Sequence, residues 1–453
     1  MKVVLRIIVC LCLLVVPVGV AGAAGYVYTM NDVMSLYDKN TPSLQNVKAL
    51  PYDSGKPTVA VLLSAEVTEV FDFLVPYEMF AMTEAYNVYG VAPDRGIKSL
   101  TGGLDVVPHY SFEEMDHLLN GSPDIIVIPF MPMLDENKYA PVREWIKKHA
   151  SDQTILLSIC NGAENLADTG LLSGKSATTH WGDIGRLIKT YPDIDWKKNQ
   201  RYVPVDHIVS SAGLTSGIDA TLYVISQQLG EPAAAKVADE MNYPSYAYVQ
   251  NPEMDPFSTG LSDLTYVVNN AYQWHKVKAG VLLYNGVDEL ALSAAFDTYS
   301  ASGTTKTITV SRFNEPIITK HQLTLVARNA INHAPKLDKM IVVGSEARTE
   351  AEQDIERWIS SNKDTPLLML HEGKAEQFAM EPAFEDLAKQ EDVRTAQFAT
   401  KRLEYRATEH LNLQGSSFSF EAFAVPAFIM LLSLLAAYYI DRRFFAKNTR
   451  QQK

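Results

Sequence analysis

The chain has 453 residues, of which 47% are hydrophobic and 21% charged; that is enough apolar content to bury large cores and, at roughly 100–200 residues per domain, to build two or three domains. It excludes a disordered or fibrous chain. Acidic residues number 53 against 40 basic ones, for a net charge of −13, and basic clusters sit at the two ends (Lys2 and Arg6; Arg442, Arg443, Lys447, Arg450 and Lys453). The body of the chain therefore repels phosphate, which argues against nucleic acid as a partner.

In chain order, residues 1–23 join a basic start to an apolar stretch from Ile7 to Val16, a breaking Pro17 and the small Ala21-Gly22-Ala23. This pattern predicts an export signal cleaved after Ala23, with an uncleaved anchor as the alternative. From Thr58 apolar runs alternate with amphipathic stretches: Thr58–Leu63, Asp124–Pro129 and Thr154–Ile159 read as buried parallel strands, and Phe71–Tyr86 and Pro141–His149 as helices. Residues 244–278 are rich in Pro, Asn, Tyr and Ser and read as a connector with a short helical hint at Leu264–Trp274. The same order then recurs: Ala279–Tyr284 resembles the first strand, Glu289–Ser300 the helix after it, Lys339–Val343 the second strand, Ile355–Ile359 the segment Val142–Ile146, and Pro366–Leu370 the third strand. The expected architecture is α/β, a flavodoxin-like three-layer sandwich on a parallel sheet, in two tandem copies at 57–243 and 279–408. Residues 422–440 carry no charge and end in Tyr438-Tyr439, with basic residues beyond. They predict one C-terminal transmembrane helix, a cytoplasmic tail at 441–453, and an extracytoplasmic bulk.

Once residues 1–23 leave, Cys160 is the one cysteine, so no internal disulfide forms. A buried strand runs into Cys160 and is followed by the small Gly162 and Ala163, which predicts a tight strand-to-helix turn that presents the thiol at the sheet's C-terminal edge. Facing the positive end of a helix, the thiol should ionise more readily, and backbone N–H groups there could hold an oxyanion. No Gly-rich phosphate loop, zinc spacing or Rossmann fingerprint occurs, so no cofactor or metal is expected; His371 and Glu372 are adjacent but too few for a ligand set.

Three blocks, FDFLVPYEMF (Phe71–Phe80), SICNGAENLADTGLLSGKSATTHW (Ser158–Trp181) and SSAGLTSGIDATLYVI (Ser210–Ile225), together resemble the ThiJ/PfpI superfamily of glutamine-amidotransferase-like domains, and within it the sensor half of AraC-type regulators and isonitrile hydratase. The resemblance implies frequent dimerisation, here met by an intramolecular pseudo-dimer, with Cys160 as nucleophile and Asp72 as the acid that tunes it. Asp72 would either accept the thiol proton or, kept neutral, donate a hydrogen bond. His180 occupies the block's histidine and is a further catalytic candidate, while Glu78 is more structural. Three features depart from the pattern. Asn161 follows Cys160 where protease-like members carry His, Phe130-Met131 stands where Gly-Gly usually helps build the oxyanion pocket, and no DNA-binding half is present. In the second copy His371 aligns with Cys160 and Ala291 with Asp72, so that copy is expected to be a scaffold. Two functions stay open. One is a Cys-dependent hydrolase, hydratase or lyase acting on a small amide, carbonyl or isonitrile; the other is a non-enzymatic metabolite or redox sensor using the same pocket.

Overall fold

The computed structural model describes residues 2–37, 47, 50–260, 263–312, 315–440 and 442–443; of the basic tail, all but Arg442 and Arg443 lies outside the described residues. The uninterrupted apolar runs form the middle of a parallel sheet. Thr58–Leu62, buried throughout, pairs in parallel with Asn87–Ala92 on one side and Ile125–Ile128 on the other. Tyr110–Ser111 extends one edge; Ile155–Ser158 and Ile208–Ser211 extend the other, with Tyr202–Val205 added antiparallel. Successive side chains on a strand face opposite ways, so Val59, Val61 and Val127 join the core under helices Val70–Met82 and Leu214–Leu229. Ala60, Leu62, Ile126 and Ile128 join a separate core under Phe112–Leu119 and Glu136–His149. This is the expected three-layer arrangement. The helix expected from Pro141 starts earlier, at Glu136, because the Asp135 side chain accepts the Asn137 N–H and caps it there.

A second parallel sheet follows. Val277–Leu283 lies between Thr305–Ser311 and Lys339–Val342, with Asn329–Ala330 and Leu367–Met369 outside them. Thr305–Ser311 was not anticipated, since its alternating Thr and Lys mask a strand that is apolar on one side only. A third, mixed sheet crosses between the halves, where Thr324–Val326 pairs antiparallel with Leu104–Val107. Helices Val70–Met82 and Glu289–Ser300 pack on each other at this seam. Val70 to Phe80 is buried at every position, as is all of Glu289–Ser300; a helix covered all round is one enclosed between two layers.

Two long apolar helices complete the chain. Lys2–Val33 runs unbroken through Ala23, and Phe420–Ile440 spans 21 residues. They pack on each other and on Leu264–Tyr272, so part of the expected connector is a packing platform. Ile7–Val33 and Phe420–Ile440 are long and apolar enough to cross a membrane by length and composition.

Candidate functional site

Cys160 stands between the strand Ile155–Ser158 and the helix Gly162–Asp168 with φ of 55°, a left-handed conformation that costs a residue with a side chain roughly 1–3 kcal/mol and survives where its surroundings impose it. They do so here. The Cys160 N–H donates to Ser211 Oγ (3.3 Å), its carbonyl accepts from the Thr179 hydroxyl (3.1 Å), and the Ile159 N–H donates to the Ile128 carbonyl (3.0 Å). Gly162 lets the turn close: a Cβ there would lie 2.0 Å from the Ile128 carbonyl oxygen. The small residues that predicted an elbow are therefore needed by a backbone contact.

Cys160 is 6% exposed and lies on the wall of a cavity of about 360 Å³ between the two halves. Glu69, Phe130, Asn161, His180 and Trp181 line it from the first half, Asp297, Phe398 and Arg402 from the second, and Met30, Val33 and Met34 from the N-terminal helix. Asp72 is wholly buried and does not reach the cavity surface. Its Oδ2 accepts the Phe130 N–H (3.1 Å), while Oδ1 has no partner. Glu69 caps the helix, its Oε2 accepting the Asp72 N–H (2.7 Å). Burial pushes both carboxyls well above their ordinary range, helped by the nearby Asp297. Arg402 offsets this weakly because it is spent bidentately on Asp297 (2.8 and 2.9 Å).

Burial, followed by the charges of Asp72 and Glu69, also pushes the Cys160 thiol up. This reverses the expected ease of ionisation. The helix behind the thiol has only seven residues and carries Glu164 in its first turn, so its dipole is outweighed by desolvation. The resting site is then a thiol beside carboxyls held toward their protonated forms. Such a set can pass a carboxyl proton from the cavity-lining Glu69 to a polarised group held against the thiol, and Asp72 can take up the thiol proton only in its ionised form.

The other predicted residues divide. The Asn161 side chain is fixed by Asp183 (2.6 Å) and Thr179 (2.9 Å) at the cavity wall. His180 has both ring nitrogens engaged, Nδ1 accepting the Gly182 N–H (3.2 Å) and Nε2 bonded to the Arg402 carbonyl (2.9 Å), so it ties the halves together and has no nitrogen free for a proton transfer. Phe130 and Met131 do not rebuild the donor pair: their N–H groups are used by Asp72 and by Asn165 Oδ1 (3.0 Å). Glu78 is not at this site; it accepts the Leu290 N–H (2.5 Å) on the wall of a second cavity of about 470 Å³. Glu69, Asp297 and Arg402 were missed, and nothing local in the sequence marks them. Among the described residues Glu78, Glu289 and His321 bring donor atoms within 4.8 Å of one another, but Glu289 already binds His321 Nδ1 (2.7 Å) and its backbone N–H (3.0 Å).

Residues 57–227 match the model of the DJ-1/PfpI family. The chain is 28% identical to isonitrile hydratase of Pseudomonas putida over 189 residues, 41% of this chain and 78% of that protein. It is 33% identical to the HTH-type transcriptional regulator CdhR of Pseudomonas aeruginosa over 159 residues, 35% of this chain and less than half (45%) of the regulator. Similar solved structures include a ThiJ/PfpI family protein from Pseudomonas syringae (21% identity, TM-score 0.36, covering 46% of this chain and 81% of that one). Another is DJ-1beta of Drosophila melanogaster (16% identity, TM-score 0.35, covering 40% and 96%). Residues 57–227 are thus a domain of the DJ-1/PfpI family.

Proposed function

We propose that the chain is a membrane-anchored, extracytoplasmic protein whose DJ-1/PfpI domain uses Cys160 to add to a small isonitrile, amide or carbonyl compound. The observation that carries this is the strained Cys160 elbow opening on a cavity, with the unpartnered Asp72 Oδ1 buried close by. For an isonitrile, the S–C bond forms as the thiol proton passes to ionised Asp72 and the Glu69 carboxyl proton goes to the terminal carbon; water then adds to the resulting thioimidate, the C–S bond breaks, a formamide leaves with the thiol restored, and the proton returns from Asp72 to Glu69. The 28% identity to isonitrile hydratase favours the isonitrile class.

We read the second sheet as a diverged copy serving as scaffold. Supporting this, its strand order, Asn329–Ala330, Thr305–Ser311, Val277–Leu283, Lys339–Val342, Leu367–Met369, repeats the first sheet's Tyr110–Ser111, Asn87–Ala92, Thr58–Leu62, Ile125–Ile128, Ile155–Ser158. Glu69 and Asp288 cap corresponding helices, each accepting the N–H three residues on. His371, aligned with Cys160, binds the Gly344 N–H (3.0 Å) and the Ala379 carbonyl (2.9 Å) and offers no nucleophile.

A second reading, metabolite binding without turnover, draws on the internal use of the Phe130 and Met131 N–H groups, which leaves few donors for an oxyanion. The test is incubation of the detergent-solubilised full chain with an alkyl isonitrile and with small amides and aldehydes, following product by mass spectrometry. Turnover lost in Cys160→Ala supports the enzyme. Turnover that survives Cys160→Ala rules out the Cys160 mechanism; saturable binding without product assigns the pocket to sensing.

A further inference from the structure

The contacts of the N-terminal helix straddle the point at which an export signal would be cut. On one side of Ala23, the Val18 carbonyl accepts the Tyr272 hydroxyl (2.9 Å), and Gly22 lies so close to Tyr272 that a Cβ would meet its oxygen at 2.6 Å. On the other, a Cβ on Gly25 would fall 1.9 Å from the Ala271 carbonyl oxygen, and Thr29 Oγ1 donates to the Asn270 carbonyl (2.9 Å). Gly22, Gly25 and Thr29 are the buried positions of this stretch and share one helix face. Further along, Asp32 pairs with Lys306 (2.5 Å), the Val33 carbonyl accepts the Gly102 N–H (2.8 Å), and Arg328 reaches Ser35 Oγ (2.7 Å). A signal peptidase needs an extended chain, whereas this segment is helical and held by its glycines.

We propose that the helix Lys2–Val33 stays on the mature protein as a second membrane-spanning helix, antiparallel to Phe420–Ile440, and that its last turn forms the roof of the Cys160 cavity. The proposal deepens the anchoring reading above and rests on it for the placement of the membrane. Charge agrees with it: Lys2 and Arg6 start one helix and Arg442 and Arg443 follow the other, so in an antiparallel pair the positive-inside rule puts both clusters on the cytoplasmic side. Length agrees as well. The 27 residues of Ile7–Val33 make a helix of roughly 40 Å, against a hydrocarbon core of about 30 Å, which leaves the turns around Met30 above the bilayer. Met30, Val33 and Met34 there join Phe130, Trp181 and Phe398 on the cavity wall. The substrate class this favours is a small molecule with an apolar body, reaching Cys160 from the membrane surface.

The test is intact-mass spectrometry and amino-terminal sequencing of the full chain, tagged at its C-terminus and purified from membranes. A mass that includes Lys2–Ala23 is expected. A mass beginning near Ala24 on a protein still held in the membrane overturns the proposal and leaves C-terminal anchoring standing; recovery of the chain in the soluble fraction overturns both. The roof is tested by maleimide labelling of Cys160 in protein carrying Cys10→Ser and Cys12→Ser, so that Cys160 is the one thiol. Gly25→Leu, which forces the helix off its platform, should label about tenfold faster, whereas Gly19→Leu, with nothing within 4 Å of its Cβ, should label at the parent rate. Met34→Ser opens the roof without disturbing the helix face and should also label faster. Parent-like rates in both Gly25→Leu and Met34→Ser would overturn the roof.

Discussion

Gly162→Ala puts a methyl group where the Ile128 carbonyl oxygen already lies. The Cβ would sit 2.0 Å from that oxygen and 3.0 Å from the Ile128 and Pro129 carbonyl carbons, and all three atoms belong to backbone, so no side-chain rotation relieves the overlap. Relief requires a shift of about 1 Å between Ile125–Ile128 and the elbow, which breaks the Ile159 N–H bond to the Ile128 carbonyl (3.0 Å). Overpacking of this kind costs about 1–3 kcal/mol, and the lost buried hydrogen bond about 1 more. A total near 3 kcal/mol corresponds to a fall in melting temperature of roughly 6–10 °C. Gly185→Ala is the control: nothing lies within 4 Å of its Cβ and it sits in the helix Ile184–Thr190, so the same substitution should stabilise by about 0.5–1 kcal/mol. Thermal melts of the two variants in detergent, followed by circular dichroism, should move in opposite directions. A Gly162→Ala protein that melts with the parent would show that the elbow is not wedged against Ile128, and the account of why Cys160 is held at positive φ would fall.

Three further outcomes follow from the same geometry. Asp72 has a folded pKa raised above its ordinary value by burial, so the folded state binds the more protons and stability falls as pH rises above about 4. Asp72→Asn keeps an acceptor for the Phe130 N–H and should melt higher than the parent at pH 7, with the gain shrinking toward pH 4; an equal gain at both pH values would contradict the assignment. Alkylation of Cys160 should show an apparent pKa above the ordinary thiol range, brought down by Asp72→Asn or Glu69→Gln as a nearby negative charge is removed, and a wild-type midpoint below the ordinary thiol range would contradict this. Arg201 and Asp219 form an ion pair with both side chains fully buried. Arg201→Met should cost about 3–5 kcal/mol in denaturant titration by stranding Asp219, while adding Asp219→Leu should recover much of that; equal losses in the single and double variants would argue against it.

What was legible in the sequence follows from how locally each feature is encoded. The buried strands of the first sheet show as continuous apolar runs, and the elbow shows because a strand, Cys160 and Gly162 are contiguous. Asn87–Ala92 and Thr305–Ser311 escaped because their mixed residues carry no continuous apolar signal. The acid environment of Cys160 escaped for a different reason. Glu69, Asp297 and Arg402 are separated by more than 300 residues end to end and meet only across the seam, so no spacing records them. The direction of the thiol's shift depends on burial, which the helix start alone does not reveal, and His180 looked available until its two nitrogens were found bonded to Gly182 and Arg402.

The seam shows what the second half contributes to the Cys160 cavity. Glu78 and Asp297 each lie on the cavity wall whose helix-capping acid comes from the other half: Glu78 beside Asp288, Asp297 beside Glu69. Each cavity is therefore completed by the partner helix. The segment around Arg402 extends this dependence. Its Leu403 carbonyl accepts the Thr215 N–H (3.0 Å), and Glu404 accepts from Ser216 (2.6 Å) and, through its carbonyl, from Arg201 (3.1 Å). These contacts hold the start of the Leu214–Leu229 helix beside Ser211, the residue whose Oγ accepts the Cys160 N–H. The second half thus acts on the thiol twice, through the charge of Arg402 in the cavity and by bracing the elbow. Neither contribution requires a nucleophile in the second half.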